Sequence, residues 1–146
     1  MKLRALITAI AAAAAVAGTG TFLVPAASAK TVTRTLTFTS IQQAPVSFSA
    51  TAGGEVDKDV TKAGTLVGYD IVRFSFDPKT KTVTGGVALM TRDGFLYGTL
   101  RPAEHGVTRG TVTGGTGSFK GATGTITGKD LNKAGTKTAI TITYHI

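Results

Sequence analysis

From Thr31 to Thr39 the chain reads T-V-T-R-T-L-T-F-T, with threonine at every odd position and Val32, Arg34, Leu36 and Phe38 at the even ones. A period of two sends alternate side chains to opposite faces, so this stretch predicts a half-buried β-strand. Arg34 interrupts the apolar face near one end, which suits an edge or a barrel rim. Val46, Phe48 and Ala50 continue the alternation after a break at Pro45. Gly53–Gly64, carrying Glu55, Asp57, Lys58, Asp59 and Lys62, is the most polar stretch. It predicts a mobile loop with room for one short strand, its charges forming a solvated rim; it lacks calcium-loop spacing.

Leu66–Phe76 predicts a long strand ending in a type I turn at Asp77-Pro78-Lys79-Thr80, with proline in the second position. Val83–Arg92 returns to Asp93-Gly94, a two-residue hairpin signal, and Phe95–Arg101 runs on to a loop at Pro102–Gly106. After a turn at Lys129–Thr136, Ile140, Ile142, Tyr144 and Ile146 alternate with Thr141, Thr143 and His145. Between these lies Gly110–Gly128, where seven of nineteen residues are glycine and most of the rest are Thr, Val or Ile. The β-branched residues favour extended backbone, while glycines within such a run mark bulges, bends or close backbone approaches. The simplest reading is two strands, Val107–Thr113 and Ala122–Gly128, joined by a glycine corner at Gly114–Gly121 that bends the sheet shut. Its structural glycines are Gly114, Gly115, Gly117, Gly121 and Gly124. No helical periodicity appears beyond the N-terminal segment. The expected fold is all-β: a closed or nearly closed antiparallel barrel of seven to eight strands in meander order.

The N-terminal segment changes the compartment. Met1-Lys2-Leu3-Arg4 is a short basic region, the following residues to about Gly18 are alanine-rich, and Val24–Ala29 ends in a small-x-small pattern. These are the parts of a bacterial-style signal peptide, 1–29, cleaved after Ala29, leaving one domain over 30–146. Gly18, Gly20 and Pro25 break the apolar run, so no integral membrane span is expected in the mature chain. Secretion without a single cysteine means that no disulfide supports the fold. Stability must come from the core and the strand ladder, and closure also removes exposed strand edges.

Charge narrows the partners. The chain carries +8, and +6 once Lys2 and Arg4 leave with the signal. The basic residues are scattered, tryptophan is absent and no aromatic RNA-binding series occurs, so nucleic acid is not an expected partner. Attraction to anionic wall polymers or lipid surfaces fits an exported chain better.

Familiar catalytic and cofactor motifs are missing. The glycine stretch fails P-loop spacing because Lys120 precedes a glycine and Lys129 precedes Asp130. It fails the dinucleotide fingerprint because Gly115–Gly121 is one residue too long and leads into a threonine-rich strand. His105 in a loop and His145 on a polar strand face lack metal-ligand spacing, so neither a metal nor a cofactor is expected. The serines show no G-x-S-x-G arrangement. Candidate chemistry lies instead in polar groups on apolar faces. Asp70 shares the parity of Leu66, Val72, Phe74 and Phe76 and would face the barrel interior. Burial would raise its pKa and suit it to general acid or base work. Alternatively, Asp70 sits at a rim beside a basic residue, or a bulge at Gly68 switches the parity. Tyr97 and Tyr144 are candidate ligand-binding hydroxyls in the same cavity.

The string G-G-T-G-S-F-K-G-A-T-G resembles the G-G-T-G-x-[FY]-x-x-A-R-G signature of the dirigent and allene oxide cyclase barrel superfamily. Asp93–Leu100 resembles the hairpin that precedes that signature in those proteins, and Thr138–Ile146 resembles their closing strand. Thr123 stands where the signature has arginine, so no activity carries over at that position. The resemblance implies a secreted barrel holding a small apolar molecule or reactive intermediate and steering its cyclisation or coupling, by confinement more than by dedicated catalytic groups. It also implies that a homo-oligomer is to be considered. The alternative is a non-catalytic extracellular module, its barrel packed solid and its loops contacting cell-wall polymer or protein. Interior size separates the two: Leu, Phe and Ile at every inward position would fill the barrel, whereas Gly68, Gly85, Gly98 and Ala88 would leave room if they face inward.

Overall fold

The computed structural model describes residues 31–146, so the expected signal peptide lies outside the described residues. Eight strands follow in order: β1 Thr33–Ser49, β2 Ala52–Val60, β3 Leu66–Asp77, β4 Thr82–Thr91, β5 Gly94–Pro102, β6 Val107–Gly115, β7 Thr123–Asp130 and β8 Lys137–His145. Each pairs antiparallel with the next, and β8 returns to β1 from Thr33↔His145 through Ile41↔Lys137, closing the barrel. Among the described residues no helix is long and apolar enough to cross a membrane.

The meander puts connections alternately at two ends. The β1–β2, β3–β4, β5–β6 and β7–β8 turns surround one end, the mouth, and the other three connections close the floor. At the mouth, the Asp77 carboxylate accepts from the Lys79 amide at 2.8 Å, fixing the turn after β3. The core lies toward the floor, where Phe38, Leu89, Leu96, Val112, Ile126 and Ile142 are buried together. Each such side chain contributes about 1.5–3 kcal/mol by leaving water.

The glycine corner seals the floor. It contains one 3-10 turn, Gly117–Phe119, tucked under the β4–β5 hairpin. There the Ser118 amide donates to the Asp93 carbonyl at 2.9 Å and the Thr116 amide to that of Phe95 at 2.8 Å. Gly117 has φ 56°, and a Cβ on it would lie 2.3 Å from the Asp93 carbonyl oxygen. Only glycine fits both demands. At Gly124 the constraint is proximity: a Cβ would sit 2.1 Å from the Thr143 carbonyl oxygen. Held this way, the corner drives Phe119 into the core, edge-on to Tyr144 with 5.5 Å between ring centroids. Thr123, at the arginine position of the signature, begins β7 at the floor with its side chain exposed.

Two sequence expectations need correction. Gly53–Gly64, expected as a mobile loop with a solvated charged rim, is mostly strand β2, and Asp57 and Asp59 are buried. Its alternation is inverted relative to an ordinary strand, with acids facing inward and Lys58 facing out. Leu66, expected in the core, is exposed. A bulge explains it: Asp59 pairs with Gly68 while Val60 pairs with Leu66, so one extra residue flips the start of β3. The bulge lies before Gly68, which leaves the parity from Gly68 to Phe74 intact.

Candidate functional site

The mouth half of the barrel is hollow. A cavity of about 210 Å³ is walled by apolar side chains including Phe38, Val72, Phe74, Val87, Leu100 and Ile140. Gly85 and Gly128 line it where a larger side chain would intrude. Gly98 points inward but deeper, where a Cβ would meet Ile126 Cδ1 at 2.5 Å, so it makes room for packing and not for a ligand. The barrel is therefore not packed solid.

One wall of this cavity is acidic. Inward-facing positions on β1, β2 and β3 bring together Ser40, Asp57, Asp59 and Asp70, all buried, with Glu55 nearer the mouth. Asp57 and Asp70 are direct cross-strand partners, as are Ser40 and Asp59. The Ser40 hydroxyl lies 2.9 Å from Asp57 Oδ2 and 3.3 Å from Asp70 Oδ2, so its single proton is shared between two carboxyl groups. Ser40, Glu55 and Asp57 reach the cavity surface, and the Gln42 amide donates to Glu55. Asp57 Oδ1 and Asp70 Oδ1 are buried without a hydrogen-bond partner, and Asp59 lies against Ser40 and Asp70.

Electrostatics follow from this placement. Every lysine and arginine among the described residues is exposed, so no cation balances the cluster from within. Burial pushes the Asp70 carboxyl up to about 8, reinforced by the neighbouring charges of Asp59 and then Asp57. Burial likewise raises Asp59 to about 6, and it moves Asp57 and Glu55 upward. At neutral pH Asp70 holds its proton behind the chamber wall, beside Asp57 and Ser40, which reach the chamber's surface. Such an arrangement can donate a proton to, or accept one from, a molecule confined there.

Of the residues singled out in the sequence, Asp70 lies in this cluster, neither at a rim nor beside a basic residue. Tyr97 and Tyr144 do not line the cavity. Tyr97 lies on the outer face, 39% exposed and stacked on Phe95. Tyr144 is inward but at the packed floor against Phe119. The sequence reading missed Ser40, Glu55, Asp57 and Asp59. One signal was present: Glu55, Asp57 and Asp59 recur every second residue, which on a strand puts three carboxyl groups on one face. No group of three or more His, Asp or Glu among the described residues is arranged to hold a metal ion.

Neither a protein-family model nor a curated protein matches the chain. Solved structures do. Pyocyanin demethylase superposes with a TM-score of 0.59 at 16% identity, over 76% of this chain and 99% of that one. The pterocarpan synthase dirigent protein GePTS1 aligns with a TM-score of 0.49 at 16% identity, over 81% of this chain and 84% of its own. At 16% identity the likeness to pyocyanin demethylase is one of fold alone, a closed antiparallel β-barrel.

Proposed function

We propose that this protein is a secreted barrel that holds a small, largely apolar molecule in its mouth and moves a proton on it. The observation that carries the reading is the juxtaposition of a hollow apolar chamber with a buried carboxyl cluster whose Asp70 keeps its proton at neutral pH. The chamber supplies orientation by confinement, and Asp70 and Asp57, bridged by Ser40, supply the acid and its conjugate acceptor. A proton given by one carboxyl and taken up by its neighbour would support a tautomerisation or would steer a ring closure or coupling of a reactive intermediate. Sharing a fold with pyocyanin demethylase, whose name records a small-molecule substrate, supports a ligand-holding lumen. Removal of residues 1–29 on export would place this activity outside the cell.

The experiment is a thermal-shift screen of the mature protein against apolar small molecules, followed by turnover assays on the hits. Ligands that bind the native state raise Tm with concentration. Asp70→Asn should abolish turnover while preserving the ligand-induced shift. Loss of both together with loss of fold would assign Asp70 to structure alone. A screen without a single shift would count against the reading as a whole.

A second reading draws on the outer surface. Tyr69, Met90 and Phe95 form one cross-strand row on β3–β5 and Ile71, Ala88 and Tyr97 the next, a largely exposed apolar stripe. Such a stripe suits contact with a protein surface, a second copy included. Light scattering across a concentration series tests for self-association.

A further inference from the structure

Four of the eight acidic residues of this chain, Glu55, Asp57, Asp59 and Asp70, face the lumen, while every described lysine and arginine faces solvent. The protein is strongly basic overall and acidic within. The neighbouring elements offer the cluster no compensating cation: β1 contributes Ser40 and Gln42, β6 Thr108, and β8 Thr138. Asp130, on β7, adds further negative charge near Glu55. Asp57, 7% exposed, and the half-buried Glu55 are the two carboxyl groups that lie on the cavity wall. A carboxyl group on such a wall gains a charge-assisted hydrogen bond from a cationic donor. A neutral hydrocarbon offers these carboxyl groups no donor, and an anionic ligand would meet like charge.

We propose that the cavity selects, among apolar molecules of its size, those carrying a basic nitrogen, an amine or N-heterocycle whose protonated form pairs with the Asp57 and Glu55 carboxyl groups on its wall. The inference rests on the reading of the lumen as a ligand chamber and specifies what the ligand must present. A neutral amine enters the apolar mouth. An O–H bond of a lumen carboxylic acid breaks, an N–H bond forms with the nitrogen lone pair, and a carboxylate–ammonium pair remains in place. Atoms and charge balance within the site, with no outside reagent. Because the carboxyl groups are already out of water in the folded chain, only the ligand pays desolvation on binding.

Calorimetry at pH 7 on the mature protein, with naphthylmethylamine, naphthylmethanol and naphthoate as matched probes, tests this. The amine should bind about tenfold or more tighter than the alcohol, as a charge-assisted hydrogen bond exceeds a neutral one, and the carboxylate should bind weakest. In Asp57→Asn the advantage of the amine over the alcohol should vanish. If that variant does not fold, the wild-type ranking decides alone. Alcohol binding as tightly as the amine would overturn the selectivity while leaving the chamber a ligand site. Heat and thermal shift absent for all three probes would overturn the chamber reading itself.

Discussion

Asp70 makes the stability of this barrel depend on pH in a direction opposite to that of an ordinary salt-bridged carboxylate. Its pKa rises from 3.8 to about 8 on folding, chiefly through burial. Between those values the folded chain keeps a proton that the unfolded chain releases. Stability contributed by the protonated group is therefore full below the unfolded pKa and is lost as pH rises through the window. One whole proton corresponds to about 1.4 kcal/mol per pH unit, so from pH 5 to pH 7 Asp70 alone should lower stability by about 2–3 kcal/mol. Asp59, raised to about 6, adds to the lower half of that range. Asp77, held low by the Lys79 amide, titrates beneath it. For a domain of this size the loss corresponds to a fall in Tm of roughly 10 °C. The assay is urea denaturation at pH 5, 6 and 7 at fixed ionic strength, followed by far-ultraviolet circular dichroism. Asp70→Asn keeps the shape of the protonated side chain and has no proton to release, so its slope should flatten by about one proton's worth. Wild-type stability that is level or rising from pH 5 to pH 7, or an unchanged slope in the variant, would refute the burial argument.

Three further outcomes follow from the packing. Gly117→Ala should destabilise by about 2–3 kcal/mol in urea titrations, combining a left-handed backbone with a clash against the Asp93 carbonyl, whereas Gly121→Ala should cost only about 1 kcal/mol. The control is apt because Gly121 has φ 78° yet nothing within 4 Å of its would-be Cβ. Phe119→Ala should unplug the floor and cost about 3–5 kcal/mol, again by urea titration. Val83→Trp, which fills the mouth from the cavity wall, should erase ligand-induced thermal shifts while changing stability by about 1–3 kcal/mol or less.

Much of this fold was legible because threonine and aliphatic residues alternate so regularly. The strands after Asp77, the Asp93-Gly94 hairpin and the glycine corner all fall where periodicity and turn chemistry put them. The exception is instructive. Glu55-Val56-Asp57-Lys58-Asp59-Val60 has a strand's period, but its inward positions carry charge, so a rule that equates polar with exposed reads it as loop. Asp70 stood out against apolar neighbours of its own parity. Asp57 and Asp59 did not, because the apolar chamber around them is built by other strands. Side-chain placement of the tyrosines was equally hidden, since Tyr97 follows the outward parity of β5 and Tyr144 sits one end too deep.

The seam between β1 and β8 has a consequence for biogenesis. Its pairs join residues about a hundred positions apart, the widest being Thr33 and His145, whose Oγ1 and Nδ1 lie 2.9 Å apart across a separation of 112 residues. Until the last strand emerges from the ribosome, the growing sheet has two unzipped borders and a half-open acidic trough. A chain stalled at that stage would offer β1 to any extended segment nearby, including β8 of a sister molecule. Pairing of β8 with β1 closes the ring and ends both hazards at once.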